Sequence, residues 1–173
     1  MKSEVPMAYK RNTDPKFWQE ERRDCNCGSF ALNLCSWFTP YDNDEIYTDE
    51  ARIALIEEMY EEGLSIADIY DVLMEYDQAE ILKQCPWLEP ISLKEAAPTD
   101  RVISYRLYID EESLEYGDPD EDYHFRVRIN GFWFEKCGED PIRFCGTEAD
   151  EEPWKTTPYL VYDSEVRYFR FKK

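Results

Sequence analysis

Between residues 27 and 89 apolar residues recur at helical spacing, and beyond residue 100 they alternate with polar ones, so the chain reads as helices followed by strands. Phe30, Ala31, Leu34, Trp37 and Phe38 predict a first helix opening at Cys27. Thr48 and Asp49 offer an N-cap for a second, in which Ile53, Ile56, Met59 and Tyr60 form the apolar stripe and Gly63 stands at the C′ position. Ser65 with Asp68 predicts a capping box for a third, with Ile66, Ile69, Leu73 and Tyr76 buried and Pro86 as the stop.

Strands are predicted over residues 101–109 (RVISYRLYI) and 166–171 (VRYFRF), with a hairpin inside 123–133. Asn130-Gly131 is a type I′ turn signal that sets Ile129 opposite Phe132. Counting back pairs Arg128 with Trp133, Val127 with Phe134, Arg126 with Glu135 and His124 with Cys137. Phe125, Val127, Ile129, Phe132 and Phe134 then share an apolar face, and His124, Arg126, Arg128, Trp133, Glu135 and Cys137 share the other. The expected architecture is α+β, N-terminal helices and then an antiparallel sheet, in one domain spanning 1–173: an N-terminal segment 1–26, a helical part 27–89 and a β part 100–173.

Charge sharpens this picture. The formal charge is −19, from 39 acids against 20 Lys and Arg. Residues 1–26 carry +1 and residues 166–173 carry +4, which leaves −24 between them. Three blocks hold it: 42–89 with 15 acids and 2 bases, 110–122 with 8 acids and no base, and 139–152 with 6 acids and 1 base. On the second helix Glu50, Glu57, Glu58, Glu61 and Glu62 fall on the face opposite the apolar stripe. Gly117 and Pro119 predict a loop for the second block, holding Asp110, Glu111, Glu112, Glu115, Asp118, Asp120, Glu121 and Asp122. Such faces serve either as solvated exteriors or as a contact surface for a basic partner. Direct, nonspecific binding of nucleic acid is disfavoured by the same charge.

The candidate chemistry centres on His124, the single histidine. Glu135 is its diagonal neighbour across the hairpin, a carboxylate placed to orient an imidazole base. Cys27, at a predicted helix start where the dipole lowers a thiol pKa, is the candidate nucleophile. The alternative is that Asn26-Cys27-Gly28 is only a helix cap and a small buried residue. Cys35 reads as a buried inert thiol inside the first helix. No cofactor or metal is expected: Cys25-x-Cys27 and Cys137-x7-Cys145 miss the zinc spacing, Asp118, Asp120 and Asp122 lack a calcium loop's glycine and glutamate, and no glycine-rich phosphate loop occurs. The basic strand of Arg167, Arg170, Lys172 and Lys173 reads as a charge-protected sheet edge. The N-terminus shows no apolar signal segment, and no stretch approaches roughly 18 apolar residues. The expected location is therefore cytoplasmic, with the cysteines as free thiols.

Two resemblances add expectations. Asn26-Cys27-Gly28-Ser29-Phe30-Ala31, with His124 on a later strand and Glu135 one strand on, resembles the papain-like NlpC/P60 cysteine hydrolases, although Asn26 stands where that branch usually has Asp. That resemblance implies a papain-like fold and a cytoplasmic hydrolase of amide or ester bonds with Cys27 as nucleophile, His124 as base and Glu135 as orienter. NCGSFALN (26–33), CPWLEP (85–90) and HFRVRINGFWFEKCG (124–138) resemble a family of small acidic proteins of bacterial mobile genetic elements, close to anti-CRISPR proteins of type II effectors. This second resemblance implies an inhibitor that binds a CRISPR effector nuclease at or near its DNA-binding surface. With the charge, it makes the expected partner a larger basic nucleic-acid-binding protein, met through the 110–122 acids and Glu57, Glu58, Glu61 and Glu62, with no membrane involved.

Overall fold

Helix formation begins where capping residues stand. In the computed structural model, which describes residues 25–34, 36–41, 48–138, 140–147, 153–157 and 160–172, Asn26 caps helix α1 (Cys27–Leu32), Thr48 caps α2 (Asp49–Glu61) and Ser65 with Asp68 closes a capping box on α3 (Ile66–Gln84). Helix α1 is shorter than its apolar run. Asn33 enters the left-handed region (φ 59°) and its N–H turns back to the Phe30 and Ser29 carbonyls, so Trp37 is left exposed while Phe38 returns to the core from extended chain. The expected place of Cys35 inside the helix lies outside the described residues, as do residues 1–24 and, in the third acidic block, 139 and 148–152.

The fold is α+β. Strands β1 (Leu88–Ile91), β2 (Val102–Ile109), β3 (Glu121–Ile129), β4 (Phe132–Glu135), β5 (Arg143–Gly146) and β8 (Arg167–Phe171) form an antiparallel sheet in the order β1-β8-β2-β3-β4-β5. A two-stranded ribbon pairs β6 (Trp154–Lys155) with β7 (Val161–Tyr162). The β3–β4 hairpin has the register counted from Asn130-Gly131, with Ile129 opposite Phe132 and Arg126 opposite Glu135. Asn130 at φ 51° and Gly131 at φ 84° supply the two left-handed residues that the turn demands.

Three expectations are corrected. Residues 88–91 belong to the sheet, because β1 pairs with the C-terminal strand. That strand, β8, is internal, bonded on one side to β1 and on the other to β2, so its Arg170 pairs with Glu89 rather than guarding an edge. The block at 110–122 is not all loop: Asp110 caps a short helix α4 (Glu111–Glu115), and Glu121 and Asp122 open β3.

One apolar cluster joins α1, α2 and α3 to the sheet, through Phe30, Ile56, Ile69, Leu73, Ile103, Tyr105, Phe125, Val127 and Phe169. The inward stripes are rotated from the predicted ones. On α3, Tyr70, Met74, Asp77 and Ile81 are buried and Tyr76 is half exposed; on α2, Arg52 is fully buried and Tyr60 lies out. The rotation is polar in origin. Arg52 Nη1 lies 2.5 Å from Asp77 Oδ1, its Nε lies 3.1 Å from Glu121 Oε1, and Tyr105 Oη donates to Asp77 Oδ2 at 2.5 Å. Tyr41 Oη donates to Glu121 Oε1 at 2.9 Å, and the guanidinium stacks 4.2 Å from the Tyr41 ring. A charge taken out of water has to be matched in this way, and the pairing turns α2 and α3 to meet each other.

Candidate functional site

Strand alternation places His124 and Arg126 of β3, Glu135 and Trp133 of β4, and Arg106 of β2 on the sheet face that the helices do not cover. As the diagonal relation predicts, His124 Nε2 lies 3.1 Å from Glu135 Oε2. Arg126 Nε donates to the same oxygen at 2.7 Å, and Arg143 of β5 donates to Oε1. Burial pushes the Glu135 carboxyl up, but the hydrogen bond from His124 and the Arg126 guanidinium outweigh it and hold the group well below the carboxylate range.

This polar face does not lie open. The β6–β7 ribbon lies over it. Trp154 and Tyr162 are 3% and 2% exposed, and they roof His124, which is itself 3% exposed. The Tyr162 ring stacks 5.1 Å from the imidazole, while Arg126 and Arg106 lie 4.5 Å and 5.1 Å over the Trp154 ring. Trp154 thus takes both cations, while Trp133 packs on Tyr168. Tyr162 Oη donates to Asp122 Oδ2 at 2.7 Å, which commits that carboxylate to the interior side of the ribbon. Nothing in the local pattern of residues 153–162 announces this roof, since each of its strands is two residues long.

The thiol brought to the His124–Glu135 pair is Cys137. A histidine nitrogen, a Glu135 oxygen and the Cys137 sulfur lie within 4.8 Å of one another. Cys137 is half buried and lines an open pocket of about 470 Å³ with Asp140, Pro141, Ile142, Arg143, Phe144 and Thr156. Sulfur, nitrogen and oxygen donors are a metal-binding chemistry, but two guanidiniums already neutralise this carboxylate, and they oppose a divalent cation beside it.

Cys27 is elsewhere in role. It is 6% exposed, and burial pushes its thiol up to about 12, so desolvation overrides any helix-dipole effect at α1. The motif around it is architectural. Asn26 Oδ1 accepts from the Ser29 N–H, the Ser29 hydroxyl and the Phe38 N–H, and Asn26 Nδ2 donates to the Phe38 carbonyl and to Tyr123 Oη. These bonds staple residues 36–38 onto α1 and onto β3. Gly28 belongs to the same staple, because a Cβ there would stand 2.7 Å from Phe38 Cδ1. Gly28→Ala is expected to cost about 1–3 kcal/mol by overpacking, measured by urea unfolding; an unchanged midpoint would mean that Phe38 moves freely aside.

The predicted contact acids divide. Glu58, Glu61 and Glu62 of α2 and Glu111, Glu112, Glu115, Asp118 and Asp120 around α4 are exposed, Glu57 and Asp110 are half buried, and none of these ten forms an ion pair among the described residues. Glu121 is corrected out of the surface set: its side chain is 4% exposed and is held by Arg52 and Tyr41. The described Cys27, Cys85, Cys137 and Cys145 are free thiols, and no described helix is long and apolar enough to cross a membrane. No family model, curated protein or solved structure matches the chain.

Proposed function

We propose that this protein is an acidic binding protein that inhibits a nucleic-acid-handling enzyme by occupying that enzyme's basic channel. The observation that carries this reading is the partition of charge between interior and surface. Among the described residues Arg52, Arg101, Arg106, Arg126 and Lys136 are buried, together with Asp77, Glu135 and the side chain of Glu121. Five cations and three carboxylates thus leave the surface and withdraw a net two positive charges from it. Meanwhile the carboxylates of α2 and α4 named above stand without a counter-ion among the described residues. Rows of fixed carboxylates can stand in for phosphates, which follow one another at ~1.7 Å of duplex axis, and can release the counterions of a basic groove. The motif resemblance names the partner class, a type II CRISPR effector nuclease, and makes the protein an anti-CRISPR inhibitor.

The test is inhibition of target-DNA binding by an effector–guide complex, with the native chain and with Glu111→Lys, Glu112→Lys, Glu115→Lys and Asp118→Lys combined. The native protein is expected to compete with DNA, and the reversed variant to lose that competition. Salt should weaken it steeply, by on the order of 10³ between about 50 and 200 mM if six or more charges engage. Equal inhibition by the reversed variant, or none by the native chain, overturns the proposal. Cys27→Ala should leave inhibition intact; the Cys27 hydrolase reading draws no support from a buried thiol outside the His124 cluster.

A further inference from the structure

We propose that Cys137, His124 and Glu135 form a reactive-thiol site that takes an acyl group from an activated ester or thioester. The acidic surface plays no part in it. Three observations carry it: the three functional atoms converge within 4.8 Å, Glu135 and His124 are bonded at 3.1 Å, and of the three side chains Cys137 is the one that lines the open pocket.

Each residue has a distinct task. Glu135 accepts a hydrogen bond from His124 Nε2 and so fixes the imidazole beside the Cys137 sulfur. Arg126 and Arg143 fix the carboxylate from two sides, so it acts as a positioning residue and not as a competing base. Trp154 and Tyr162 pack against the imidazole and hold its ring in place. Burial and the neighbouring Glu135 charge push the Cys137 thiol up to about 11, so at neutral pH it is protonated and its reactivity depends on a base beside it. In the reaction the imidazole takes the thiol proton as the sulfur attacks the acyl carbon. The carbon–leaving-group bond breaks, the imidazolium returns the proton to the departing alkoxide or thiolate, and a Cys137 thioester remains. Water, deprotonated by the same imidazole, then releases the carboxylic acid and restores the thiol. Pro141, Ile142 and Phe144 give the pocket an apolar wall suited to the acyl chain.

The probe is 4-nitrophenyl acetate on the full chain. A burst of one equivalent of nitrophenolate is expected, with one acetyl group mapped by mass to Cys137. Cys137→Ala should abolish the burst, while Cys27→Ala and Cys145→Ala retain it. His124→Gln should slow it about 100-fold. Should His124→Gln not fold, the native chain decides: limited iodoacetamide at neutral pH should label Cys137 ahead of Cys145, whose thiol burial likewise pushes up, to about 12. Acetylation elsewhere, a burst surviving in Cys137→Ala, or equal labelling of Cys137 and Cys145 overturns the proposal. A stoichiometric Co²⁺ complex with thiolate charge-transfer absorption and no acylation overturns it too, in favour of a metal centre.

Discussion

Asp77→Ala is expected to lower the free energy of unfolding by about 3–5 kcal/mol, the usual consequence of removing one partner of a buried ion pair. Arg52 and Asp77 are both fully buried, with Arg52 Nη1 2.5 Å from the carboxylate. Without Asp77, the guanidinium retains Glu121 at 3.1 Å and the Tyr41 ring, but loses its nearest carboxylate; Tyr105 Oη loses its acceptor as well. A domain with about 5–15 kcal/mol in total would lose a large share of its stability. Denaturant unfolding of the variant measures the loss, and a triple variant separates charge from packing. Arg52→Met with Asp77→Leu and Glu121→Gln removes all three charges of the network and fills the space with uncharged atoms, and it should recover most of the stability lost in Asp77→Ala. A cost below about 1 kcal/mol for Asp77→Ala would show that water or Glu121 compensates and that the network does not organise the α2–α3 interface.

The second large effect belongs to Glu135, and it carries a pH signature. Glu135→Ala would leave Arg126, Arg143 and His124 converging on an empty position, again at about 3–5 kcal/mol. In the native chain the folded carboxyl sits well below its ordinary value of 4.5, because the His124 bond and the Arg126 charge outweigh the upward push of burial. The folded state therefore binds fewer protons than the unfolded one. The stabilisation is fully present above about pH 5, and it fades as pH falls through the unfolded value toward the folded one. Glu121 has the opposite sign, since burial raises it despite Arg52 and Tyr41, so its protonation on acidification favours the fold. Comparing the native chain with Glu135→Gln cancels the Glu121 contribution. The stability gap between them should be largest at neutral pH and should shrink steadily below about pH 5. A gap independent of pH would mean that Glu135 is not ionised in the folded protein.

Much of the local structure was legible from short-range chemistry. Thr48, Ser65 with Asp68, and Asn26 cap the helices they were assigned to, and Asn130-Gly131 set the register that puts Glu135 within reach of His124. The counting that paired His124 with Cys137 places that thiol near the ring, as the structure does, whereas the resemblance of Asn26-Cys27-Gly28 to a nucleophile segment points to Cys27. That segment meets the rest of the molecule through Phe38 and Tyr123, partners 12 and 97 residues away, and no periodicity reports such contacts. Arg52 and Asp77 escaped notice for a related reason. A charged residue on an apolar stripe reads as an interruption until its partner, 25 residues on, is seen facing it.

The sequence by itself determined the elements, their caps, the hairpin register and the concentration of acid on particular helix faces, because each depends on residues a few positions apart. Tertiary structure alone decided that the Cys27 thiol is buried, that the C-terminal strand lies inside the sheet, and that the polar face of the hairpin is roofed by Trp154 and Tyr162. Those outcomes follow from closing the chain on itself, where burial forces every internal charge to find a partner wherever in the sequence that partner stands.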